Sequence, residues 1–125
     1  MVQMLNKIDP YGIKNVNFSL IEKDDDQWEE YKTQRLENGF DESELWNLDS
    51  TIAQFIYPRL KQFSEDIISY PTGMTCEEWE DKLRQMVKAF EIIINDNNWE
   101  FDKEQVDIVN NGLDLFREHF FSLWN

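Results

Sequence analysis

Apolar and polar positions repeat with the period of an α-helix in three stretches of the chain. Counting about 100° per residue from Leu48, the residues Leu48, Ile52, Phe55, Ile56, Leu60 and Phe63 fall within about 140° of arc. That stripe predicts a helix over 42–64 with those residues facing the core. Trp79, Leu83, Met86, Val87, Phe90, Ile93 and Ile94 keep the same spacing without interruption and predict a helix over 76–94. Val106, Val109, Leu113, Phe116, Phe120, Phe121 and Trp124 predict a last helix over 103–124, after the polar break NDNNWEFD. A shorter helix over 26–38 turns Trp28, Tyr31 and Arg35 inward.

Punctuation supports these bounds. Asp41 with Glu44, Thr75 with Glu78 and Asp102 with Gln105 are capping-box pairs, in which each side chain satisfies a backbone N–H at a helix start. Gly39 after Asn38 is a favoured helix exit. Pro58 removes a backbone donor inside the second helix and predicts a kink near Gln54 to Tyr57, while Gly112 is expected to bend the last helix or divide it. Residues 1–23 carry Pro10, Gly12 and the alternating string NVNFSLI, in which Val16, Phe18 and Leu20 would share one side. No second strand is visible, so this segment reads as an extended arm laid on the helices. The fold expected is all-α, a single-domain bundle of about four helices over 24–125 with an N-terminal arm over 1–23. Phe90 should pack among Trp79, Leu83, Phe116 and Phe120.

Composition narrows the partners. With 26 acidic and 12 basic side chains the 125 residues carry a net charge of −14. Nonspecific binding to nucleic acid needs a surplus of Lys and Arg, so neither DNA nor RNA is an expected partner, and an anionic membrane is equally unsuited. A basic protein is better matched. The single cysteine, Cys76, cannot form an internal disulfide, and no apolar segment approaches the ~20 residues of a membrane span. The chain reads as a cytoplasmic protein.

Catalytic equipment is sparse. His119, the only histidine, points away from the apolar face of its helix and reads as solvated. Glu77 and Glu78 oppose any activation of Cys76. Asp24, Asp25 and Asp26 lack the alternation and glycine of a calcium loop, no Glu-x-x-His pair marks a di-iron site, and phosphate-binding glycine loops are missing. The expectation is a non-enzymatic protein with no cofactor and no metal. The basic minority is more informative: 51–95 hold five basic residues against seven acids, and the rest of the chain seven against nineteen. Arg59 falls near the centre of the apolar arc of the second helix. An unpaired buried guanidinium is very costly, so Arg59 is expected to meet either an internal carboxylate, Glu91 or Glu118 for example, or the phosphate or carboxylate of a ligand.

The string GFDESELWNLDSTIAQFIYPRLKQF, with YPTGMTCEEWEDKLRQMVKAFE and LDLFREHFFSLWN after it, resembles a family of small proteins of tailed bacteriophages and prophages. A Trp-x-Leu-Asp element, here Trp46, Leu48 and Asp49, precedes a Pro-Arg-Leu-Lys element, here Pro58 to Lys61. A Tyr-Pro turn at Tyr70 and Pro71 then leads to a Trp-bearing helix ending in Ala89 to Glu91. The resemblance runs from Gly39 to Asn125 and implies a phage protein expressed in the bacterial cytoplasm that acts by binding, in assembly or against host defence.

Three functions compete. In the first, the protein sequesters a small anionic nucleotide-type immune signal: Arg59 and Lys61, with Arg84 or Lys88, hold phosphates while Trp46, Tyr57 or Trp79 stacks on a base, and Asp49 joins the site as a motif residue. In the second, an acidic surface copies the charge of nucleic acid and occupies a basic host protein. In the third, the protein is a minor structural or assembly component that self-associates, with the aromatic FFSLW as the contact.

Overall fold

All three capping boxes read from the sequence are formed, and they set the helix starts. The computed structural model of the protein describes residues 12–95 and 100–125, and among these it holds four α-helices and no β-strand. Helix α1 spans Trp28–Asn38 and ends on Gly39, whose φ of 83° is the left-handed conformation that glycine adopts without strain. Helices α2, α3 and α4 span Leu48–Glu65, Cys76–Asn95 and Lys103–Glu118. The fold is therefore all-α, with an extended segment leading into α1. Residues 1–11 of the expected arm, and residues 96–99 of the polar break, lie outside the described residues.

Two bounds differ from expectation. The Asp41 cap opens a 3-10 turn, Glu42–Leu45, and α2 begins only at Leu48. Helix α4 stops at Glu118, and His119 joins it to a second 3-10 turn, Phe120–Ser122. The division of the chain also differs: two compact units part inside α2, one ending at Phe55 and the other beginning at Ile56, whereas the sequence placed its internal boundary at residue 23.

In the C-terminal unit α3 packs against α4. The buried face of α3 is Trp79, Leu83, Met86, Val87, Ala89, Phe90 and Ile92, close to the predicted stripe, with Ile93 and Ile94 left half-buried. Phe90 stacks edge-on against Phe116, centroids 5.2 Å apart, and Phe116 continues the chain of rings to Phe120 at 5.6 Å. Phe120 is itself half exposed, so it borders this core and does not complete it.

Gly112 does not divide α4, which runs unbroken over Lys103–Glu118. It is buried at the crossing of α3 and α4, where an added Cβ would lie 2.3 Å from Ala89 Cβ and 2.7 Å from the Gln85 carbonyl oxygen. Gly112→Ala should therefore destabilise the protein by about 1–3 kcal/mol through overpacking, although alanine favours a helix by about 1 kcal/mol. A raised melting temperature would show that the helices do not approach this closely.

The N-terminal unit departs furthest from its pattern. In its arm Ser19 and Ile21 are buried while Val16 and Leu20 are exposed, the reverse of the predicted phase. On α2 the predicted core face is covered only in part: Leu48, Ile52 and Phe55 are 46%, 47% and 49% exposed, whereas Ile56 and Phe63 are half-buried and Leu60 is buried, and Ser50 and Ala53, outside the predicted stripe, are buried as well. Amphipathic spacing tells which residues share a side. It does not tell which side the rest of the chain covers.

Candidate functional site

The N-terminal unit is held by polar contacts. Ser43 donates its hydroxyl to Asp41 Oδ1, and the Leu20 N–H donates to Ser43 Oγ at 2.9 Å, tying the arm to the 3-10 turn. Arg35 on α1 donates to Glu44 Oε2 at 2.5 Å and to the Val16 carbonyl at 3.3 Å. The same Glu44 oxygen accepts the Asp41 N–H at 2.7 Å. Burial raises the Glu44 pKa above its ordinary 4.5, and the Asp41 N–H and the Arg35 guanidinium oppose that rise. Tyr31, buried in α1, donates to Glu42 Oε1 at 2.5 Å; that hydrogen bond, with burial, pushes its pKa up to about 12.

These contacts occupy Asp41, Glu44 and Arg35 internally. The remaining ionic side chains face water: among residues 12–55 nine acidic residues are exposed against three, Lys14, Lys23 and Lys32, that are basic. Asp24, Asp25 and Asp26 belong to the exposed entry of α1, where Asp25 Oδ1 accepts the Gln27 N–H at 2.8 Å.

The residues predicted to hold a ligand are distributed over both units. Trp46 and Asp49 belong to the N-terminal one. Trp46 is 55% exposed and stacks edge-on against Tyr31 at 6.4 Å, and Asp49 is exposed. In the C-terminal unit Tyr57 is half-buried, and Arg59 and Lys61 are exposed. The desolvation cost that made an anionic partner obligatory for Arg59 thus does not arise. Of the carboxylates suggested as its partners, Glu91 Oε1 lies 3.4 Å from Lys88 Nζ. Among the described residues Arg35 and Glu44 form a partly buried ion pair, with side chains 24% and 5% exposed.

On α3 the predicted residues face opposite ways. Trp79 is 1% exposed and packs against the His119 ring at 5.5 Å, so its face is not open to a base. Arg84 and Lys88 follow it by about 140° and 180° around the helix, exposed and each in an intrahelical ion pair, Arg84 with Glu80 at 2.9 Å. A ligand held by those two cations could not stack on Trp79. The reading of His119 as solvated is likewise corrected: at the end of α4 the backbone turns it inward, and its buried Nε2 makes no hydrogen bond among the described residues. Cys76, half-buried, opens α3 beside the Thr75 cap, whose Oγ1 accepts the Glu78 N–H at 3.1 Å.

Among the described residues no group of three or more His, Cys, Asp or Glu side chains could hold a metal ion, and no helix is long and apolar enough to cross a membrane. A scan against protein-family models finds no match, and searches of curated proteins and of solved structures return no similar chain. The feature missed from the sequence is the outward face of α2.

Proposed function

We propose that this chain is a non-enzymatic binding protein that presents an acidic surface to a basic protein. The observation that carries the reading is the threefold excess of exposed acids over exposed bases among the described residues of the N-terminal unit, with the Arg35–Glu44 pair closed internally. Such a surface attracts a cationic partner, raises its association rate and loses strength with added salt. The resemblance to small phage proteins supplies a setting, the cytoplasm of an infected bacterium, and a purpose, occupation of a basic host defence protein at the surface where that protein would meet nucleic acid.

The test is affinity capture from bacterial extract at low and high salt. It compares the wild type with a neutralised variant carrying Glu29→Gln, Glu30→Gln, Glu37→Gln and Asp49→Asn, all at exposed positions. A basic protein retained by the wild type, released by salt and lost with the variant supports the reading. In parallel, cyclic dinucleotides, cyclic trinucleotides and ADP-ribose derivatives are added during thermal melting. A ligand at a hundredfold excess over its dissociation constant stabilises the folded state by about 2.7 kcal/mol. A nucleotide that raises the melting temperature would replace this reading with nucleotide capture by Arg59, Lys61 and their neighbours.

Self-association has one observation in its favour: Phe121 and Trp124 are 90% and 68% exposed. A sedimentation mass of one chain that Phe121→Ser leaves unchanged would remove it.

A further inference from the structure

The N-terminal unit keeps polar groups in and large apolar groups out. Among its described residues the buried ones are three apolar, Ile21, Tyr31 and Ala53, and five polar, Ser19, Asp41, Ser43, Glu44 and Ser50. Meanwhile Leu45, Trp46, Leu48 and Ile52, consecutive through the 3-10 turn and the first turn of α2, each leave about half their surface in water. On α2 the row is regular: Leu48, Ile52 and Phe55 follow at steps of four and three residues, the spacing by which one helix seats the side chains of another. The row stops at Arg59, which limits it to about two turns.

Charge chooses the occupant. Asp49 follows Leu48 in α2 and Glu42 lies in the 3-10 turn before it, both exposed, and the described residues of this unit expose three acids for each base. A second copy of this chain would bring the same acids, and like charges brought together across an interface are costly. We infer that this face of α2 receives an amphipathic helix from a basic protein, its apolar side on Leu48 and Ile52 and its Lys or Arg residues toward Asp49 and Glu42. Trp46, exposed beside the row and steadied by Tyr31, supplies the aromatic anchor that centres such contacts and a ring face for a partner guanidinium. The inference rests on the acidic-surface reading and adds to it the shape of the partner and the place where it lands.

The test uses the full chain and two synthetic helical peptides with one apolar heptad pattern, one bearing Lys and Arg at its polar positions and the other Glu. Binding is followed by calorimetry. The basic peptide should bind one to one and the acidic one should not. Ile52→Asp should weaken the basic peptide about tenfold or more, the effect of one central interface residue, without lowering the melting temperature. The neutralised variant described above should weaken binding and flatten its salt dependence. Binding of the basic peptide that Ile52→Asp leaves unchanged would overturn the docking face and leave the acidic-surface reading standing. Equal binding of both peptides, indifferent to neutralisation, would overturn both. Self-association of the free chain that Ile52→Asp abolishes would make a second copy the occupant and overturn the inference alone.

Discussion

Replacing Phe90 with Ala is expected to lower the stability of the protein by about 3–5 kcal/mol, the range for truncating a buried phenylalanine. The ring is 4% exposed and lies on the face of α3 that meets α4, flanked in sequence by the buried Val87, Ala89 and Ile92. Truncation removes the apolar burial and the edge-on contact with Phe116, whose own ring then loses one of its two stacking neighbours. Collapse into the vacated space is limited, because Ala89 and Gly112 already hold the two helices in contact. For a protein whose total stability is of the order of 5–15 kcal/mol, the loss is a large fraction. Chemical denaturation of wild type and Phe90→Ala measures it, and a midpoint that does not move would place the ring outside the core. Phe120→Ala is the internal comparison: half exposed, it should cost much less.

The sequence made most legible what is decided locally. Asp41, Thr75 and Asp102 each meet their partner three residues on, and Gly39 closes α1 through its own backbone angle, so all four signals needed only neighbouring residues. The face of α3 was legible too, because an uninterrupted apolar row of that length leaves one way to bury it. Helix α2 was misread through the same logic. Its apolar row is real, but hydrogen bonds such as that from Thr51 Oγ1 to the Glu44 carbonyl, 2.7 Å, help to place the start of the helix and leave no periodic trace. Arg59 is exposed although its neighbour Leu60 is buried, and the ligand site built around it lost its geometric motive. The buried ion pair was half legible: Arg35 had been placed on an inner stripe and Glu44 in a capping box, yet nothing in their spacing of nine residues said that they meet.

That pair yields a second large effect, and it carries a pH signature. In Arg35→Met the Glu44 carboxylate keeps its burial and its bond from the Asp41 N–H but loses the Arg35 counter-charge. Removing one partner of a buried pair costs about 3–5 kcal/mol, and here about 3 kcal/mol is expected at neutral pH, because the Arg35 side chain is 24% exposed and partly screened. The direction with pH follows from linkage. Burial already raises the Glu44 pKa above 4.5 in the folded state, so the native protein binds that proton more readily than the unfolded chain, and this contribution to stability is lost as pH rises through the folded value. Removing Arg35 deletes the attraction that opposed the rise, and the folded pKa climbs further. The deficit of Arg35→Met should therefore be full at neutral pH and shrink on acidification through that raised pKa, since a protonated Glu44 needs no cation. Denaturation of both proteins at a series of pH values checks this, with Glu44→Gln in each background as control. The pH dependence of the deficit should vanish when the carboxylate is absent. A deficit that stays constant from neutral to acidic pH would show that Arg35 contributes packing and its bond to Val16, and that the charge of Glu44 is balanced without it.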